Sequence, residues 1–111
     1  MAERDWIAKY FAPLARAGGA AGLRDDLAQL ADSKSPTVIT VDALVEGVHF
    51  LASDPVASVA QKLVRVNVSD VYAAGALPSE ALLTLGWPKE RPESDLAEFA
   101  SALGAELDAF D

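Results

Sequence analysis

Aspartates sit at three places in this sequence where apolar residues surround them. Asp25 and Asp26 lie between Leu23 and Leu27, Asp42 lies within VITVDALV, and Asp70 lies within VRVNVSDVYAAGA. A carboxylate taken out of water is unstable unless it is paired, hydrogen-bonded or bound to a cation. Arg24 and Arg65 are the local basic partners, too few by spacing to serve every acid. Thr40 and Asp42 are two apart, so on a strand they point the same way. Asn67 and Asp70 are three apart, so on a helix they share a face. A hydroxyl, carbonyls and several carboxylates gathered together suit a hard, oxygen-seeking cation such as Mg²⁺. Each acid also has an ordinary structural use. Asp25 and Asp26 can cap a turn or a short helix, Asp42 can accept backbone hydrogen bonds at a strand bend, and Asp70 can sit on the solvated side of a helix.

The sole histidine, His49, follows Gly47 in EGVHF. By composition alone such a residue reads first as a hydrogen-bonded structural histidine, and second as a functional one. Asn67-Val68-Ser69 matches a glycosylation sequon but falls in an expected helix with no signal peptide upstream, so it is discounted. Cysteine is absent, which excludes disulfides, thiolate metal sites and cysteine nucleophiles. Nothing resembles a Ser-His-Asp triad or a zinc site. AGGAAG at 17–22 is neither GxGxxG nor a phosphate-binding P-loop, because no GK[ST] follows.

The elements that would position these residues follow from periodicity. Trp6, Ile7, Tyr10, Phe11 and Leu14 recur at spacings of three and four, which predicts a short amphipathic helix over 5–15 that Pro13 interrupts or ends. Residues 17–22 read as a flexible connection, 33–36 as a turn, and the surroundings of Leu27 as a possible strand. Residues 37–45, rich in β-branched side chains, predict a strand, with Gly47 bending or ending it. Asp54 and Pro55 mark the start of a helix over 56–74 with Gly75 as its C-terminal stop. A second strand is expected within 78–87, closed by Pro88. A helix over 93–110 follows, with Ser94 as a cap and Leu96, Phe99, Ala100, Leu103 and Leu107 as its apolar stripe. The order is that of an α/β fold. An α/β sheet usually takes another strand after such a helix, so the sequence reads as cut at Asp111 rather than finished.

With 111 residues, 51% of them apolar, the chain is long enough for one domain with one core. The formal net charge is −8, from 17 acidic and 9 basic residues, with no basic stripe, which argues against nucleic-acid partners. An acidic protein still binds phosphates when divalent cations stand between its carboxylates and the ligand. No apolar run reaches transmembrane length and the start lacks a signal-peptide pattern, so a cytoplasmic protein with no membrane partner is expected.

Taken together, RDDLA, TVDALVEGVHF and the helix ending VNVSDVYAAGALP resemble the N-terminal domain of the thiamine-monophosphate kinases in order and approximate spacing. VDALVEGVHF is the most specific piece, and DWIAKYFAPLA also fits, so the resemblance covers nearly the whole chain. The wider superfamily includes aminoimidazole-ribonucleotide synthetase, selenophosphate synthetase and a hydrogenase maturation factor. The resemblance implies an α/β fold, a mixed sheet flanked by helices that pairs through its sheet into a barrel-like homodimer. It implies one N-terminal ATP- and magnesium-binding domain over 1–111, ending before a GGDT segment and a C-terminal domain. The implied reaction moves the γ-phosphoryl of ATP to thiamine monophosphate, giving thiamine diphosphate, with several Mg²⁺ ions as cofactors.

The same resemblance implies roles for single residues. Asp26 looks like a magnesium ligand, Thr40 a hydroxyl ligand, Val41 a ligand through its backbone carbonyl and Asp42 a carboxylate ligand. Asp70 looks like a ligand bridging several ions, and His49 like a contact to the thiamine phosphate. No side-chain nucleophile or catalytic acid is implied. Two departures stand out: Arg24 occupies the place of the usual glycine in GDD, and Thr40-Val41-Asp42 replaces the common Ser-Thr-Asp. The rival readings are another ATP-dependent enzyme of the same superfamily, or a non-catalytic domain kept for dimerisation or metal binding. EGVHF and the lack of an N-terminal cysteine favour the thiamine enzyme over selenophosphate synthetase. On this reading the 111-residue chain by itself is inactive, because the residues that complete the nucleotide and acceptor sites lie elsewhere.

Overall fold

Apolar residues at helical spacing decide where the two long helices fall and how they pack. The computed structural model describes residues 3–110. Helix α1 is Glu3–Trp6, α2 is Val56–Ala73 and α3 is Glu93–Ala109. The described residues divide into two compact units, Met1–Thr37 and Val38–Asp111.

In the first unit the helix expected over 5–15 forms as three unlike pieces. After α1 the chain widens into a π-type turn over Ile7–Phe11, closed by the Ala12 N–H on the Ile7 carbonyl. It then tightens into a 3-10 turn over Ala12–Leu14. Pro13 accounts for the break, because a proline ring there would clash with the carbonyl of Lys9 in a regular α-helix. The connection 17–22 is more ordered than its glycines suggest, forming 3-10 turns over Gly18–Leu23. Ser33 to Pro36 is a turn as expected, with the Ser33 hydroxyl donating to the Ser35 carbonyl at 2.9 Å and accepting from the Ser35 N–H at 3.2 Å.

In the second unit, α2 buries Val56, Val59, Ala60, Val64 and Val68, and α3 buries Leu96, Phe99, Ala100 and Leu103. The two stripes pack on each other and make the core. Trp87 adds its ring to Phe99, with centroids 6.2 Å apart and the planes tilted. Leu107, the last expected stripe residue, is half-buried; Glu106 beside it is buried and forms an ion pair with Arg65 of α2. That pair raises the Arg65 pKa, first through the hydrogen bond to Glu106 and then through its charge. The end of α2 is a Schellman motif. Gly75 takes φ +77°, its N–H reaches the Tyr72 carbonyl at 2.9 Å, and the Ala76 N–H reaches the Val71 carbonyl at 3.1 Å. Neither expected N-cap closes a helix. Pro55 and Pro92 hold the cap positions without side-chain bonds, while Asp54 accepts instead from the Leu51 N–H at 2.8 Å.

The mixed sheet does not form. Among the described residues neither 37–45 nor 78–87 belongs to a strand, and the sole β-bridge, Glu46 with Phe50, lies inside a turn. The α/β expectation, and the pairing of two copies through a sheet, are thereby corrected to two packed helices joined by extended chain. The reason is physical. β-Propensity reports how well branched side chains fit a pleated, half-buried surface. A strand also needs a neighbour's backbone donors and acceptors in register. Segment 37–45 has no such neighbour here, and Ile39 and Val41 stand 79% and 87% exposed.

Candidate metal and substrate site

Two of the aspartates singled out above border one depression of the second unit. It has a volume of about 570 Å³ and is lined by Asp42 and by the polar face of α2, including Lys62, Arg65, Ser69 and Asp70. Asp42 comes from the extended segment after Thr37. Its Oδ1 accepts from the Ala43 N–H at 3.1 Å. Asp70 lies in the last turn of α2, exposed, with the Schellman turn directly behind it. The other expected helix donor, Asn67, is turned back on its own helix: its Nδ2 donates to the Leu63 carbonyl at 2.9 Å.

The remaining expected residues lie outside this depression. Thr40 is half-buried and Val41 exposed, both on the same segment as Asp42. His49 is exposed at the tip of the turn between that segment and α2. Asp26 belongs to the first unit and is exposed, beside Asp25, whose Oδ1 accepts from the Leu27 N–H at 3.2 Å in a local turn. Arg24 needs no glycine in its place. It sits at φ −96°, a conformation open to any residue, and its Nε donates to the Ala21 carbonyl at 3.3 Å rather than to Asp25. The left-handed conformations lie just before it, at Ala21 (φ 50°) and Leu23 (φ 58°).

Lys62 and Arg65 are the residues of this site that motif reading missed. Ser58, Lys62, Arg65 and Ser69 recur at spacings of four, three and four, a helical face of their own opposite the buried valines. Their charge is partly engaged already. Arg65 is held by Glu106, and the Lys62 ammonium donates to the His49 carbonyl. Arg91 ties the turn from its other side, donating to the Ala52 carbonyl at 2.9 Å and to Glu46 at 3.3 Å while pairing with Asp95 of α3 at 3.4 Å.

No group of three or more acidic or histidine side chains stands together as a metal site among the described residues. The donor set still fits one class of cation. Magnesium keeps several waters and takes only one or two protein carboxylates, with substrate phosphates completing its shell. Asp42 and Asp70 with the nearby serine hydroxyls offer that kind of oxygen set.

Comparison with known proteins places the chain in a family. The family model for the N-terminal domain of AIR synthase related proteins matches residues 24–111, and the chain belongs to that family. Within it, the chain is similar to proteins named thiamine-monophosphate kinase. It is 40% identical to that of Caulobacter vibrioides over 98% of this chain and 32% of the relative. It is 38% identical to that of Salmonella typhimurium over 98% of this chain and 34% of the relative. For that of Aquifex aeolicus the identity is 41% over 68% of this chain and 24% of the relative. The chain thus spans about a third of the length of the relatives that it matches throughout. No solved structure matches it.

Proposed function

We propose that this chain is the ATP- and magnesium-binding N-terminal part of a thiamine-monophosphate kinase, which moves the γ-phosphoryl of ATP to thiamine monophosphate. The observation that supports it best is similarity over nearly the whole chain to proteins of that name. The site chemistry agrees. Phosphoryl transfer asks a protein for positioning and charge neutralisation more than for a nucleophile. Asp42 and Asp70 would hold Mg²⁺, with the Thr40 hydroxyl and the Val41 carbonyl as further proposed ligands of the second unit; Asp26 is proposed separately as a magnesium ligand carried by the first unit. The bound ion would supply charge neutralisation between these carboxylates and the phosphates. Further residues of the chain contribute to binding. Lys62 and Arg65 edge the depression with donors suited to phosphate oxygens, and His49 contacts the thiamine phosphate.

A homodimer is part of the same proposal. Val38, Ile39, Val41, Leu77 and Leu82 are each largely exposed, and apolar side chains of this kind are what a partner covers. Sedimentation should show a defined dimer; a monomer alone at high concentration would remove this part. No described helix is long and apolar enough to cross a membrane, and a cytoplasmic enzyme is proposed.

The test is a chimaera carrying this chain in place of the matching third of the Caulobacter relative. ADP release with ATP, Mg²⁺ and thiamine monophosphate is expected, and Asp42→Asn should abolish it. A folded chimaera without turnover would refute the assignment. The 111-residue chain alone should show no turnover, since phosphoryl transfer needs donor, acceptor and metals held together.

A further inference from the structure

The turn that carries His49 is closed by an unusual reciprocal clasp. The Val45 N–H donates to His49 Nδ1 at 2.8 Å, and the His49 N–H donates back to the Val45 carbonyl at 2.8 Å. The Gly47 N–H reaches the Phe50 carbonyl at 2.7 Å, with Gly47 at φ +82°, where a side chain would be strained. One further bond comes from outside the turn: the Lys62 ammonium of α2 donates to the His49 carbonyl. A neutral imidazole has one donor nitrogen and one acceptor nitrogen. With Nδ1 accepting from a backbone N–H, the proton must reside on Nε2.

We propose that Lys62 is a positioning residue for His49, and that the Val45–Lys62 clasp holds its imidazole with Nδ1 accepting and Nε2–H as the outward donor. A ring held this way gives a hydrogen bond to an anionic oxygen, such as a phosphoryl oxygen. His49 therefore serves as a binding donor. The identity of the acceptor rests on the function proposed above; the clasp does not.

The test is nitrogen-15 NMR of the imidazole in the 111-residue chain at alkaline pH, with Lys62→Met and Lys62→Arg beside it. Wild type should show a non-protonated Nδ1 and a protonated Nε2. Lys62→Met, with helical circular dichroism retained because Lys62 is exposed, should give signals averaged between tautomers. Its Val45 amide should exchange faster by about fivefold, the loss of one net hydrogen bond. Lys62→Arg, which keeps a donor, should restore the wild-type pattern. A protonated Nδ1 in wild type, or a Lys62→Met chain indistinguishable from wild type, would overturn the proposal. Thiamine monophosphate added to the chimaera should move the Nε2 signal. A signal that stays put while the tautomer is as stated would refute the substrate reading and leave the clasp standing.

Discussion

Replacing Leu96 by alanine should loosen the packing that holds α2, and with it Lys62 and Asp70, in place. Leu96 is 1% exposed, the largest fully buried side chain among the described residues, on the α3 stripe that meets the valines of α2. Its truncation removes buried methyl groups and leaves a cavity that two helices pinned by Phe99 and Leu103 cannot easily fill, a loss of about 3 kcal/mol. A unit the length of Val38–Asp111 has a stability of about 4–11 kcal/mol at ordinary values per residue. The substitution therefore takes a large share of it, and the melting temperature should fall by about 12–24 °C. Urea unfolding followed by helical circular dichroism measures the change, with the denaturant slope unaltered. Leu96→Met, which conserves volume, should lose less than about 1.5 kcal/mol. A Leu96→Ala loss below about 1 kcal/mol would show that the helices do not meet as a packed core.

Gly75→Ala should destabilise by about 1–2 kcal/mol in the same unfolding assay, because the Schellman turn needs the left-handed φ of +77°. Asp70→Asn should weaken Mg²⁺ binding, read by calorimetry, more than Glu98→Gln on the exposed side of α3; equal effects would count against a cation at the depression. Arg91→Met removes the bonds to Glu46, the Ala52 carbonyl and Asp95, so proteolysis within 46–52 should quicken while α3 stays helical. Because pairing with Glu106 raises the pKa of Arg65, the stability gained from its charge is present in full below the ordinary arginine value and is lost only above it. Titration from neutral to pH ~10 should leave that contribution intact.

The helices were readable because their apolar spacing and their packing are the same fact: Val56 to Val68 and Leu96 to Leu103 bury the faces that their periodicity marks. Gly75 was readable because its position demands a conformation that other residues resist. The extended segments misled because Val38, Ile39 and Val41 have strand chemistry, while strand formation depends on a partner that propensity does not encode. At the site, Asp42 and Asp70 announced themselves as charges among apolar neighbours. Lys62 did not, because a cation on the polar face of a helix looks like any solvated residue. Only the fold of the 45–49 turn, with its carbonyl facing α2, gives that cation a task.

Asp42 also shapes what happens to the chain before any ligand arrives. Residues 38–45 form a run of β-branched and aliphatic side chains, largely exposed and broken in charge only at Asp42. Such windows, when unpaired, template the stacking of chain upon chain, and a single carboxylate inside one acts as a gatekeeper against fibril growth. A neutral residue at 42 would remove a proposed cation ligand and, in the same stroke, the one charge that keeps neighbouring molecules from zipping together along this segment.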